Sequence, residues 1–207
     1  MAAQRPNGGS PVPGVADPLV LRSNQPVVGL DFDGVLNVTA FDDLPPGFSR
    51  HMVELDRAAW PDHPYIRPLP RTDQPVLHGI VVSPAHGAMV RAWLAAGAAV
   101  VWATTWERAV LPNAPLCDLP PLPVLEISKV VPADRLPQRT ADWKVLGLQT
   151  AFAGHPLVWV DDFGAALRGE TTYGQPPVPM LTVAPDERVG LTTEEAEQVL
   201  AFVRRWA

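Results

Sequence analysis

Pro26-Val27-Val28-Gly29-Leu30-Asp31-Phe32-Asp33-Gly34-Val35-Leu36-Asn37 is an apolar run that ends in two acids and a glycine. Acids at the carboxyl end of a buried strand are costly unless something cationic sits there. In an open parallel sheet that end of the strands is where ligands bind. The segment therefore reads as a core strand running into a metal or phosphate site. Strand alternation places Asp31 and Asp33 on one side and Phe32 on the other, and Gly34 allows a sharp turn.

Further apolar runs follow at Gly79 to Ser83, Ala98 to Thr104, Pro123 to Glu126, Leu157 to Asp161 and Met180 to Val183. Helical patterns separate several of them, from about Ala85 to Ala96 and from Trp143 to Ala153. Continuous apolar strands alternating with helices predict an α/β, Rossmann-like parallel sheet with helices on both faces. Thr192 with Glu195 three residues on has the spacing of a capping box, and Ala196, Val199, Leu200 and Val203 form one apolar stripe. Arg204 and Arg205 follow at the helix end, where the dipole favours cations. That last helix reads as structural.

At 207 residues and 47% hydrophobic content the chain can bury one good core. Residues 1–24, rich in Pro, Gly and Ser, are expected to form a flexible tail, leaving 25–207 as the folded domain. About 38–78 is a proline-dense insertion, with Pro45, Pro46, Pro61, Pro64, Pro68, Pro70 and Pro75. Missing amide donors there exclude a long helix or a central strand, leaving turns, extended pieces or a hairpin that overhangs the acidic pair. Its His51, Trp60, His63, Tyr65 and Arg67 are candidate substrate contacts, though loop side chains of these types are more often solvated or locally packed. A net charge of −6 argues against a broad nucleic-acid or anionic-membrane footprint. No apolar run reaches the roughly 18 residues of a membrane span, and the start does not resemble a signal peptide. The single Cys117 excludes an intrachain disulfide and suits a reducing compartment, so a cytoplasmic location is expected.

Two more clusters end apolar runs: Thr104 and Thr105 after Val100-Val101-Trp102-Ala103, and Asp161 and Asp162 after Leu157-Val158-Trp159-Val160. If these strands are neighbours, four carboxylates converge, and like charges that close cannot all stay ionised unaided. Mg²⁺ is the simplest remedy, because it takes oxygen ligands and characteristically shares its shell with a substrate phosphate. His78, His86 and His155 show no ligand spacing and are read as surface or capping residues. Trp102 and Trp159 sit inside apolar runs and read as core. Trp106, just after the threonine pair, is open to two readings, stacking a base or sugar at the site mouth or packing against the insertion.

In their order, Asp31-Phe32-Asp33-Gly34-Val35-Leu36, Val100-Val101-Trp102-Ala103-Thr104 and Val158-Trp159-Val160-Asp161-Asp162 resemble the motifs of the haloacid dehalogenase superfamily. The resemblance covers about residues 26–185. The insertion and the Trp102-Ala103-Thr104-Thr105-Trp106 segment also resemble a small-cap branch related to the phosphatase module of RNA-repair proteins. The family uses a lysine before its last motif, for which Lys144 and Lys129 are the candidates, with Lys144 preferred. The resemblance implies a Mg²⁺-dependent phosphomonoester hydrolase with Asp31 as nucleophile and Asp33 as acid and base. Thr104, or Thr105 if the motif shifts by one, and Lys144 would hold the phosphoryl group. The metal would be held by Asp31, the Asp33 main-chain carbonyl and Asp161 or Asp162. Substrates would be small phosphorylated compounds, among them nucleotides or nucleic-acid ends. A phosphotransferase or mutase of the same superfamily would need a larger cap to shield its intermediate from water. The remaining alternative is a non-catalytic phosphate-binding module, which would usually lack one of the motif acids.

Overall fold

The computed structural model describes residues 12, 14, 15, 19–39, 43–61, 66, 68–131, 140–167 and 179–206. Its centre is a four-stranded parallel sheet made of β1 (Val27–Leu30), β4 (Ala99–Trp102), β5 (Leu157–Val160) and β6 (Met180–Val183), in the order β4-β1-β5-β6. A second sheet is a two-stranded antiparallel ribbon of β2 (Ser49–Glu54) and β3 (Leu77–Val82). The helices are α1 (Pro84–Ala95), α2 (Ile127–Val130), α3 (Thr140–Ala151) and α4 (Thr193–Trp206), with 3₁₀ segments over Glu107–Cys117 and Asp162–Leu167.

Period-two alternation along the strands divides the core into two layers. Val28, Leu30, Val100, Trp102, Val158 and Val160 point to the face covered by α1 and α4, where Val90, Trp93, Val199 and Val203 are buried. Val27, Ala99, Val101, Leu157 and Trp159 point to the opposite face, against Ile127, Trp143 and Leu148. Every residue of β1, β4 and β5 is buried, which is why these strands read as unbroken apolar runs. Gly29 lies on the second face, and a Cβ there would come within 2.5 Å of Leu148. The glycine therefore sets how closely α3 approaches β1.

The capping box of α4 is formed as read. The Glu195 carboxylate accepts from the Thr192 backbone N–H at 3.0 Å, and Thr192 Oγ1 accepts from the Glu195 N–H at 3.3 Å. Ala196, Val199, Leu200 and Val203 are its buried residues. Trp102 and Trp159 are fully buried.

Three expectations change. The run from Gly79 to Ser83 does not join the parallel sheet; it is the end of β3, paired with β2, with His51 opposite Ile80 and Val53 opposite His78. Leu77, His78 and Gly79 are exposed while Ile80, Val81 and Val82 are buried, so a short apolar run tucked under the ribbon looks the same in sequence as a central strand. The run from Pro123 to Glu126 contributes only isolated bridges, Val124 to Trp102 and Leu125 to Val15. That last bridge also amends the tail: the Glu126 N–H donates to the Gly14 carbonyl at 2.8 Å, and Val12, Val15, Leu19 and Leu21 pack on the second core layer. Residues 49–54 and 77–82 pair as the β2–β3 ribbon, while His63, Tyr65 and Arg67 lie outside the described residues.

Candidate active site

β1 lies between β4 and β5, so the chain leaves β1 for one side of the sheet and later crosses to the other. This reversal is the switch point at which open α/β sheets bind ligands. Register pairs Leu30 with Trp102 and with Val160, so three strand ends stop level. The next residues are Asp31, Ala103-Thr104 and Asp161.

Asp31, Asp161 and Lys144 form the buried centre. Lys144 projects from α3 and is 1% exposed; its Nζ donates to Asp31 Oδ2 at 2.5 Å and to Asp161 Oδ2 at 2.8 Å. The second oxygens are also used. Asp31 Oδ1 accepts from the Phe32 N–H at 2.8 Å and Asp161 Oδ1 from the Phe163 N–H at 3.0 Å. Burial alone would push Lys144 down, but Asp161 and Asp31 outweigh it and hold the ammonium above its usual value. Burial pushes Asp161 up, against the pull of Lys144. Burial, helped by the negative charge of Asp31, raises Asp162 to about 6.

Asp162 completes an acidic trio. One carboxylate oxygen from each of Asp31, Asp161 and Asp162 lies within 4.8 Å of the others. Three carboxylates against one ammonium leave an excess of two negative charges when all are ionised, and the donors are all oxygen. That set fits a hard divalent cation, so the trio could hold one. Gly34 makes the approach possible. It has φ +72°, and a Cβ on it would fall 2.5 Å from the Asp162 carboxyl carbon.

Asp33 stands apart, which corrects the expectation of four converging carboxylates. β1 ends at Leu30, so alternation no longer applies at Asp33, and a turn closed by the Gly34 N–H to the Asn37 carbonyl at 2.8 Å reorients it. Asp33 Oδ1 accepts from Asn37 Nδ2 at 2.7 Å and Oδ2 from the Trp106 indole N–H at 2.6 Å. Burial raises its pKa, the Asn37 hydrogen bond lowers it, Asp31 raises it, and the net direction is up. A carboxyl set this way keeps a proton more readily than an ordinary aspartate.

Thr104 is fully buried, and its Oγ1 accepts from the Trp106 backbone N–H at 3.3 Å; Thr105 is half-buried. Lys129 is elsewhere, exposed and paired with Glu126 at 2.8 Å. Trp106 is 3% exposed and meets Phe32, Trp60 and His78 edge to face, with centroids 5.4, 5.5 and 5.1 Å away. Of its two readings, packing against the insertion is the one seen. Its indole N–H is a site group that sequence reading missed, as is Asn37. Asn37 also accepts from the Val81 N–H at 2.8 Å and so ties Asp33 to β3. The Asp33-Gly34-x-x-Asn37 spacing is the only sequence signal for it.

No family model matches the chain, and no curated protein or solved structure matches it either.

Proposed function

We propose that this chain is a phosphomonoester hydrolase of the haloacid dehalogenase type, dependent on Mg²⁺ and working through an aspartyl-phosphate. The observation that carries the reading is the contrast between two acids two residues apart. Asp31 is bonded to a buried ammonium inside an acidic trio, whereas Asp33 is held by two neutral donors in a site that favours its protonated form. A nucleophile needs to be ionised and an acid needs a proton, and these two environments divide the roles accordingly.

Asp31 would attack phosphorus in line, forming the P–O bond to its carboxylate as the bond to the alcohol oxygen breaks. Asp33 would give its proton to that departing oxygen, and would then take one from the water that hydrolyses the acyl phosphate. Lys144, between Asp31 and Asp161, would hold a phosphoryl oxygen and offset the charge that gathers there. Thr104, buried beside Asp31's strand end, would offer its hydroxyl proton to a second oxygen. Asp31, Asp161 and Asp162 would hold Mg²⁺, which when bound neutralises phosphate charge and orients the ester. The resemblance of the motif order to the superfamily supports the same assignment.

The test is phosphate release from a panel of sugar phosphates, nucleotides and phosphorylated oligonucleotide ends, with Mg²⁺ and with EDTA. Release that needs Mg²⁺ and vanishes in Asp31→Asn, with the variant still folded, is the expected outcome. Full activity in Asp31→Asn would sink the assignment.

A further inference from the structure

Trp106 reaches Asp33 from a turn whose geometry is unfavourable on its own. The Trp106 N–H donates to Thr104 Oγ1 at 3.3 Å and the Glu107 N–H to the Thr104 carbonyl at 3.2 Å, so Thr104 to Glu107 is one tight turn. It ends with Glu107 at φ +46°, a left-handed conformation that a residue carrying a Cβ adopts at a cost. Contacts from outside the turn must hold it there.

Glu107 is 5% exposed, and among the described residues it forms no ion pair. Both of its carboxylate oxygens are engaged by one residue: Oε1 accepts from the Ser128 N–H at 2.9 Å and Oε2 from the Ser128 hydroxyl at 3.0 Å. Ser128 lies in α2, and its neighbour Ile127 is fully buried against α3, where a Cβ on Gly147 would fall 2.6 Å from Ile127 Cγ2. The anchor is therefore firm. The next tie along the chain, Arg108 Nε to Glu126 at 3.1 Å, starts from a half-exposed side chain and is weaker. A buried carboxylate is a costly way to fasten a loop that an apolar side chain could fasten. Its place directly after Trp106, whose indole N–H donates to Asp33 Oδ2 at 2.6 Å, gives the cost a purpose.

We infer that Glu107 is a positioning residue: clamped by Ser128, it fixes the left-handed end of the turn and so aims the Trp106 indole N–H at Asp33. α3 carries Lys144, so one helix sets the lysine between Asp31 and Asp161 and, through α2, the donor on Asp33. The inference deepens the phosphatase reading and rests on it for its kinetic readout.

The test compares kcat/KM with Mg²⁺ for p-nitrophenyl phosphate, whose leaving group needs no proton, and for 2-phenylethyl phosphate, whose alkoxide does. Glu107→Ala should lower the alkyl ester about tenfold and the p-nitrophenyl ester about twofold or less, the scale of one misaligned hydrogen bond. Glu107→Gln still offers Ser128 an acceptor and should keep the ratio of the two esters within about twofold of wild type. On a Trp106→Phe background Glu107→Ala should leave the ratio unchanged, because the bond it aims is already gone. Equal losses on both esters, a full further loss on Trp106→Phe, or Glu107→Gln as impaired as Glu107→Ala would overturn the inference and leave the phosphatase reading standing. Should Glu107→Ala not fold, Ser128→Ala removes one of the two bonds and should give a selective loss of about threefold; an unchanged ratio there would overturn the inference. The Trp106 indole N–H resonance, identified by its absence from Trp106→Phe, reads the same geometry without turnover. It should move in Glu107→Ala, and an unmoved resonance would overturn the inference. Absence of Mg²⁺-dependent turnover with these esters and with the wider phosphomonoester panel would remove the phosphatase reading, and the resonance would then decide the clamp alone.

Discussion

Replacing Lys144 by Met tests the centre of the site most directly. The side chain keeps its length but loses the ammonium that donates to Asp31 and Asp161 at 2.5 and 2.8 Å. Both carboxylates are almost fully buried, so nothing from solvent replaces it. Removing one partner of a buried ion pair costs about 3–5 kcal/mol, because the charge left behind stays desolvated. For a chain of this size each kcal/mol moves Tm by about 2–4 °C, so Lys144→Met should melt about 6–20 °C below wild type at pH 8 without metal. The loss should shrink as pH falls, since protonating Asp161, which burial already pushes up, removes the stranded charge. It should shrink for the same reason in the double variant Lys144→Met/Asp161→Asn. Saturating Mg²⁺ should also restore part of the loss, about 2.7 kcal/mol at a hundred times Kd, provided the metal binds only the folded protein. Melts followed by circular dichroism at pH 5.5 and 8, with Mg²⁺ and with EDTA, measure all of this. A drop of under 2 °C at pH 8 in EDTA would refute the reasoning, because the acids would then not depend on the lysine.

Trp106→Phe keeps the ring among Phe32, Trp60 and His78 but removes the N–H from Asp33. Asp33 becomes charged as it gives up its proton, and a hydrogen bond to a charged group is worth about 1.5–3 kcal/mol, so kcat/KM for alkyl phosphates should fall about 10- to 100-fold. p-Nitrophenyl phosphate, whose leaving group needs no proton, should lose far less; equal losses on both would reject the positioning role. Gly34→Ala puts a non-glycine residue at φ +72° and a Cβ 2.5 Å from Asp162. The backbone cost alone is about 1–2 kcal/mol, and Mg²⁺ should raise Tm in wild type but not in this variant. A normal Mg²⁺-induced shift would show that Asp162 is not needed. His86 is buried and burial lowers its pKa below 6.5. Its contribution is therefore complete above about pH 6.5 and is lost as pH falls toward the folded value, by up to about 1.4 kcal/mol per pH unit. The difference in urea midpoint between wild type and His86→Gln cancels the carboxylates common to both, and should narrow from pH 7.5 to 5.5.

The parallel strands were legible because burial on both faces leaves no polar position to confuse the period. The α4 cap was legible because Thr192 and Glu195 act within four residues. What escaped depends on contacts distant in sequence. Nothing in Leu77–Val82 distinguishes a ribbon edge from a core strand, since that depends on β2, more than twenty residues earlier. Glu107–Cys117 folds as a 3₁₀ segment despite Pro112 and Pro115, and its first residue has φ +46°. That geometry is held from afar. Glu107 accepts from the Ser128 N–H at 2.9 Å and from Ser128 Oγ at 3.0 Å, bonds that no local pattern announces.

The acidic motif shows where local reading stops being enough. Alternation still applies at Asp31, because it directly follows a regular strand. It misplaces Asp33, because a period-two rule holds only while φ and ψ stay extended, and the turn at Gly34 ends that regime. The consequence is chemical. Had the strand continued, Asp33 would have joined the trio, adding a fourth negative charge beside one lysine and leaving no separately held acid. By turning away it reaches neutral donors contributed by two other parts of the chain, Asn37 from its own turn and Trp106 from the segment after β4. Both donors touch the ribbon, Asn37 through Val81 and Trp106 through His78. Any displacement of the ribbon would therefore move the donors on Asp33 while leaving the Lys144 pairs with Asp31 and Asp161 intact.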